Sequence, residues 1–153
     1  TGPITARYKV IPLALTEAPT EAEVAKQLES DNKYVVRRAK KMQRQYKEDG
    51  KLPTTLPQSV QVWKFGEAVQ LTALSGEVTV DYSLLIKHHY PKEKQFVMGY
   101  TNGCPAYIPS LRVLKEGGYE GAGAMLYYGV HGPLEPTVEQ DIMNTIHELT
   151  KAE

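Results

Sequence analysis

The chain has 153 residues, a normal size for one domain with one core. Its hydrophobic fraction of 41% and charged fraction of 24% are those of a folded soluble protein. Eighteen basic residues balance eighteen acidic ones, so net charge points to neither a nucleic-acid nor a membrane partner. The single cysteine, Cys104, excludes an internal disulfide; this fits a reduced compartment but also the many secreted bacterial proteins that lack disulfides. No apolar run approaches the roughly 18–20 residues needed to span a bilayer. The opening TGPI has neither the basic region nor the apolar region of a signal peptide. The missing initiator Met fits a mature product or an excised segment.

In chain order, Ile4–Leu13 alternates loosely and reads as a strand, with Pro12 confining its end to an edge or an exit. Thr20 and Glu23 form a capping box that opens a helix to about Glu29. Ser30, Asp31 or Asn32 can cap a second helix to about Glu48. Val35, Ala39, Met42 and Tyr46 share a face of it, and Gly50 suits its C-terminal cap. Leu52–Pro57, with two prolines, reads as a loop. Val60–Phe65 and Ala68–Leu74 read as strands joined by a two-residue turn at Gly66-Glu67, with Val69, Leu71 and Ala73 on one face. Residues 79–89 read as a helix that Pro91 stops, and Phe96–Tyr100 as a short buried strand. Ser110 caps a short helix ending at Gly117-Gly118, and Met125–Val130 reads as another strand. Thr137 and Gln140 open a last helix with Val138, Ile142, Ile146 and Leu149 on one face. Interspersed strands and helices without repeats predict a single α/β domain, a mixed sheet with helices packed on it, or a closely mixed α+β arrangement.

Two residues stand at ends of predicted strands, where ligands gather in α/β proteins. Glu77 follows an apolar strand and a Gly and precedes a helix; read alone, it is equally a first-turn residue favoured by the helix dipole. Tyr107 lies in the loop after Phe96–Tyr100; read alone, it is a packing residue with a wet hydroxyl. The four histidines show no HxH or HExxH spacing, and the adjacent His88 and His89 diverge on a helix, so no zinc motif is complete. Lys33–Lys47 carries seven basic residues and no acidic one. Without interleaved exposed aromatics it reads as a solvated face opposite the apolar stripe rather than a nucleic-acid helix. The glycine-rich stretch Gly117–Gly123 is neither a Walker loop nor GxGxxG and reads as a tight loop. Cys104 has no CxxC partner to support a catalytic thiol.

Three stretches taken together say more: LTALSGE ending at Glu77, FVMGYTNGCPAYIP from Phe96 to Pro109, and EGGYE from Glu116 to Glu120. Their order and spacing resemble the neutral/alkaline, non-lysosomal ceramidase family, from about Val10 to the end of the chain. The tail, MLYYGVHGP before a helix, is similar to the end of the bacterial versions. That resemblance implies a zinc-dependent hydrolase of N-acyl amides such as ceramide, secreted or periplasmic. Its zinc ligands are two histidines, the Glu of a PGE motif and the Tyr of an N-x-x-x-x-Y loop, which carry over to Glu77 and Tyr107. A carboxylate is a good zinc ligand, and the metal charge favours a phenolate well below the usual Tyr pKa of about 10. Ser75 stands where the family has Pro, Cys104 and Pro105 depart from its loop, and Ser110 follows where Thr is common. Nothing in residues 1–60 resembles the family's histidine ligands. The chain is therefore expected to be the C-terminal part of such a catalytic domain, supplying two donors of four, holding zinc weakly and inactive alone. The alternative is a non-catalytic binding or structural domain that keeps the scaffold.

Overall fold

The computed structural model describes residues 2–91 and 94–151. It is an α+β fold built on a mixed four-stranded sheet. Strand β1 (Ile4–Ala14) forms one edge and pairs antiparallel with β2 (Thr55–Phe65). β2 pairs antiparallel with β3 (Val69–Leu74). β3 in turn pairs in parallel with β5 (Lys94–Met98), after an excursion through β4 (Glu77–Val78) and helix α3 (Val80–His89). β4 leaves the main sheet and forms a separate two-stranded parallel ladder with β6 (Tyr107–Ile108).

The caps form as their chemistry dictates. Thr20 and Glu23 make a reciprocal capping box on α1 (Glu21–Gln27). The Asn32 side chain accepts from the Tyr34 N–H at the start of α2 (Lys33–Asp49), and Gly50 closes it at φ 71°. Ser110 accepts from the Val113 N–H to open α4 (Leu111–Glu116). The last helix is α6 (Val138–Lys151). It turns Val138, Ile142, Ile146 and Leu149 into the main core with Leu13, Val60, Val62 and Leu74 of the sheet. Full burial of each such side chain contributes about 1.5–3 kcal/mol. A smaller cluster of Val24, Ala39, Met42 and Leu52 joins α1 to α2, and Tyr46 donates to the Pro19 carbonyl at 2.6 Å.

Three expectations about the sheet are corrected. β2 begins at Thr55, inside the expected loop: Pro57 pairs with Pro12 of the edge strand, beyond the part of β2 that β3 covers, so its missing N–H breaks no ladder with β3. The β2–β3 connection has three residues, Gly66–Ala68, because Phe65 pairs with Val69. In β3 Val69, Leu71 and Ala73 share a face as expected, and the residues facing the core are Gln70, Thr72 and Leu74, since Leu74 and Thr72 sit beside the inward Val60 and Val62. The Gln70 amide donates to Thr72 Oγ1 at 3.3 Å, a local polar pairing that lets two polar residues go inward. β5 is the other edge of the sheet, with Phe96 56% exposed rather than buried.

The expected strand at Met125–Val130 is instead a helical turn, α5 (Met125–Tyr128). It follows a π-helical turn at Tyr119–Gly123 whose Gly121 lies against the Val113 carbonyl, where a Cβ would meet the oxygen at 2.6 Å. That close approach folds the glycine-rich stretch back on α4 and sets Met125 into the core.

Tyr82 of α3 ties the main core to the β6–α4 junction. Its buried hydroxyl donates to the Pro109 carbonyl at 3.0 Å, and burial pushes its pKa well above the ordinary value. Tyr82→Phe strands that carbonyl at an expected cost of about 1–3 kcal/mol. The midpoint of urea unfolding falls accordingly, with an unchanged slope.

Candidate functional site

The site grows from the end of β3. Ser75 leaves the strand and is clamped there. Its N–H donates to the Ser59 carbonyl at 3.1 Å, its Oγ accepts from the Ser59 N–H at 2.9 Å, and its carbonyl accepts from the Gln58 amide at 3.1 Å. Gly76 then turns the chain at φ 80°, packed so closely on β6 that a Cβ would meet Ile108 Cγ1 at 2.7 Å and the Ala106 oxygen at 2.8 Å. Only glycine combines that dihedral with that approach. Glu77 follows in β4, so it is a strand residue rather than a first-turn helix residue. Its N–H donates to the Ala106 carbonyl at 2.9 Å.

Tyr107 is the register partner of Glu77 in the β4–β6 ladder. The two expected site residues therefore sit side by side. β6 is held from its far end: Asp81, in the first turn of α3, accepts from Ser110 Oγ and from Arg112 at 3.0 Å, and Thr79 Oγ1 accepts from the Ser110 N–H at 3.1 Å. The Ser110 bond first and the Arg112 bond second hold the Asp81 carboxyl below its ordinary pKa.

Two further tyrosines complete the cluster, and sequence alone singles out neither. Tyr128 donates to Glu77 Oε1, and Tyr100 donates to Oε2 at 2.7 Å. Tyr100 adopts a left-handed φ of 57°, as does Asn102. Left-handed backbone is costly for a bulky residue and is held here by the Tyr100 N–H bond to the Gly76 carbonyl at 2.9 Å and by Thr101, which binds the Leu74 carbonyl through both its N–H and its hydroxyl. The exposed Cys104 adds its thiol 3.6 Å from the Tyr128 hydroxyl. The EGGYE stretch arrives from the other side: Tyr119 packs edge-on against Tyr107, with ring centroids 5.8 Å apart. The three stretches thus meet at the Glu77–Tyr107 pair, the third through Tyr107.

The electrostatics follow from these contacts. Bonds from Tyr128, then Tyr100, hold the Glu77 carboxyl below its ordinary pKa. Tyr100 is pushed up to about 12, first by its bond to Glu77. Tyr107 and Tyr128 are raised by burial first, with Glu77 adding to the effect. At neutral pH the group is one carboxylate ringed by neutral phenols. Because the folded pKa of Glu77 is depressed, its contribution to stability is present above the ordinary glutamate value of about 4.3 and is lost as pH falls through the native value. Tyr128→Phe and Tyr100→Phe each raise the Glu77 pKa, Tyr128→Phe more, as carboxyl-carbon NMR titration reads directly.

A zinc ion fits this donor set in part. The carboxylate and the phenol are oxygen donors of the right kind on adjacent strands. No group of three or more His, Cys, Asp or Glu suited to a metal occurs among the described residues. Three of the four histidines are engaged elsewhere: His89 with the Leu85 carbonyl, His131 with the Thr16 carbonyl, and His147 with the Tyr90 hydroxyl. A cavity of about 610 Å³ lined by Asp81, Leu84, Leu111 and Arg112 among others includes neither Glu77 nor Tyr107. Glu77 and Tyr107 meet at an open surface, on which Tyr100 is 64% exposed. No helix among the described residues is long and apolar enough to cross a membrane. No protein-family model, curated protein or solved structure matches the chain.

Proposed function

We propose that this chain is the C-terminal part of a ceramidase-type catalytic domain, in which Glu77 and Tyr107 are two of the donors to a zinc ion. The observation that carries this reading is the convergence of the three stretches behind the resemblance: Glu77 and Tyr107 are register partners, and Tyr119 packs on Tyr107. The histidine donors come from another part of the complete protein, and the substrate class is an N-acyl amide such as ceramide. Zinc in such a site activates water and polarises the amide carbonyl.

The chain's own residues supply the setting. Glu77 brings a carboxylate that is ionised at neutral pH. Tyr128 and Tyr100 orient it by fixing one oxygen each, the role that outer hydrogen-bond partners play around metal ligands. Tyr107, raised by burial and by the Glu77 charge, needs a nearby cation to ionise near neutrality. Ser75, where the family has Pro, anchors the strand end through its hydroxyl and leaves the position of Glu77 intact.

A second reading has its own observation. Both Glu77 oxygens already accept from tyrosine hydroxyls, so the cluster also serves as a structural knot in a non-catalytic domain that keeps the scaffold. Zinc content and N-acyl amide hydrolysis of the complete protein, compared with Glu77→Ala and Tyr107→Phe, separate the two. The first reading requires both variants to lose zinc and activity; the second requires neither property to be present in the wild type.

A further inference from the structure

The basic run of α2 has a feature that a solvated face does not require. Arg37, Arg38, Lys41 and Arg44 line one recess of about 310 Å³, closed on its other side by Tyr127, Tyr128 and Gly129 at the end of α5. Arg37, Lys41 and Arg44, four and three residues apart, share one side of the helix, and Arg38, three residues before Lys41, flanks them, so that like charges repel. The first turn of α2 has no acidic residue to offset this or to complement the helix dipole. None of the four is ion-paired with a described residue, unlike Lys9 with Glu148 or Arg112 with Asp81 and Glu116.

The cations are also positioned. Arg37 donates to the Tyr127 carbonyl at 2.6 Å, and its guanidinium lies 5.5 Å from the centre of the Tyr34 ring, which packs edge-on against Tyr127. Arg38 is half-buried: one terminal nitrogen donates to Gln27 at 3.1 Å, while its buried Nε has no hydrogen-bond partner among the described residues. Lys41 reaches over Gly129, whose left-handed φ of 69° and missing Cβ leave room for it; a Cβ there would stand 3.3 Å from Nζ. Lone repelling cations, one of them partly desolvated, are costly unless an anion joins them. Three guanidinium forks and an ammonium match the charge and oxygen geometry of a phosphate dianion better than a single carboxylate.

We propose that the recess between α2 and α5 is a binding site for a phosphate monoester, held by Arg37, Arg38, Lys41 and Arg44. The site borders the Glu77 cluster through Tyr128, which lines both, but none of its four cationic side chains touches Glu77, and phosphate binding is read out without zinc. The test is calorimetric titration and thermal melting of this chain with inorganic phosphate, at constant ionic strength set with chloride. Saturable binding and a rise in melting temperature are expected. The double variant Lys41→Gln/Arg44→Gln, which alters only exposed side chains and should fold, weakens binding at least tenfold. Arg37→Lys, which keeps the charge and loses the fork, weakens it less.

Competition by glycerol 3-phosphate assigns the site to soluble phosphate monoesters. Competition only by vesicles of phosphatidic acid in phosphatidylcholine assigns it to a lipid headgroup; either supports the proposal. A phosphate response equal to that of chloride, or undiminished in the double variant, overturns it. So does binding of only an RNA oligonucleotide with steep salt dependence, which marks a backbone-reading surface instead.

Discussion

Under the proposed zinc-amidase reading, Glu77→Ala in the complete protein is expected to lower kcat/KM for N-acyl amide hydrolysis by more than a hundredfold. Removing an outer partner of a metal ligand typically costs about 10–100-fold in affinity or activity, and loss of a ligand should exceed that. Glu77 supplies the carboxylate that the cluster tyrosines bind, and its ionised form is secured by two tyrosine hydroxyls. Tyr107→Phe removes the second proposed donor and should behave similarly, with fold and secondary structure retained because its ring still packs on Tyr119. Tyr100→Phe leaves both donors and one orienting bond, so its loss is smaller, within about 10–100-fold. This graded order distinguishes ligation from a general loss of structure. Steady-state kinetics with circular dichroism of each variant is the check.

Gly76→Ala should give the largest loss of stability from the smallest change. The left-handed dihedral costs a residue with a Cβ about 1–2 kcal/mol. Overpacking of the added methyl group against the Ala106 carbonyl and Ile108 adds about 1–3 kcal/mol. At about 2–4 °C per kcal/mol for a chain of this size, the melting temperature should fall by roughly 10 °C. The strain is relieved only by moving β4 away from β6, which separates Glu77 from Tyr107. The variant should therefore lose the depressed Glu77 pKa even where it remains folded. Gly103→Ala is a control: it also has a positive φ, but nothing lies within 4 Å of its Cβ position, so it carries the dihedral cost alone.

How far the sequence reaches depends on whether a feature is local. The caps at Thr20, Asn32 and Ser110 use bonds that span two or three residues, and each is where the side-chain chemistry puts it. The apolar face of α6 is legible for the same reason: a spacing of three and four residues is all that it needs. The inward face of β3 is not legible, because Ala73 and Leu71 look better suited to a core than Gln70 and Thr72. Pairing with β2 sets the parity instead. The run Met125–Val130 has a strand's composition but follows a glycine that must pack on a backbone carbonyl, a tertiary constraint. At the site, motif order reaches Glu77 and Tyr107 but not the ladder between them. Tyr100 and Tyr128 lie 23 and 51 residues from Glu77, and no periodicity connects them to it. The left-handed Tyr100, beside Thr101-Asn102-Gly103, is a weak turn signal hidden by the strand-like residues before it.

The central claim is that Glu77 and Tyr107 are zinc donors, and zinc stoichiometry tests it most directly. Elemental analysis of the complete protein, purified after growth with zinc, should find roughly one zinc per chain in the wild type, as a site with three or four protein donors implies. Glu77→Ala and Tyr107→Phe should each be depleted severalfold, and Gly103→Ala should retain the wild-type content. A wild-type protein without zinc, or variants that hold as much as the wild type, would contradict the account and leave the Glu77 cluster as a structural knot.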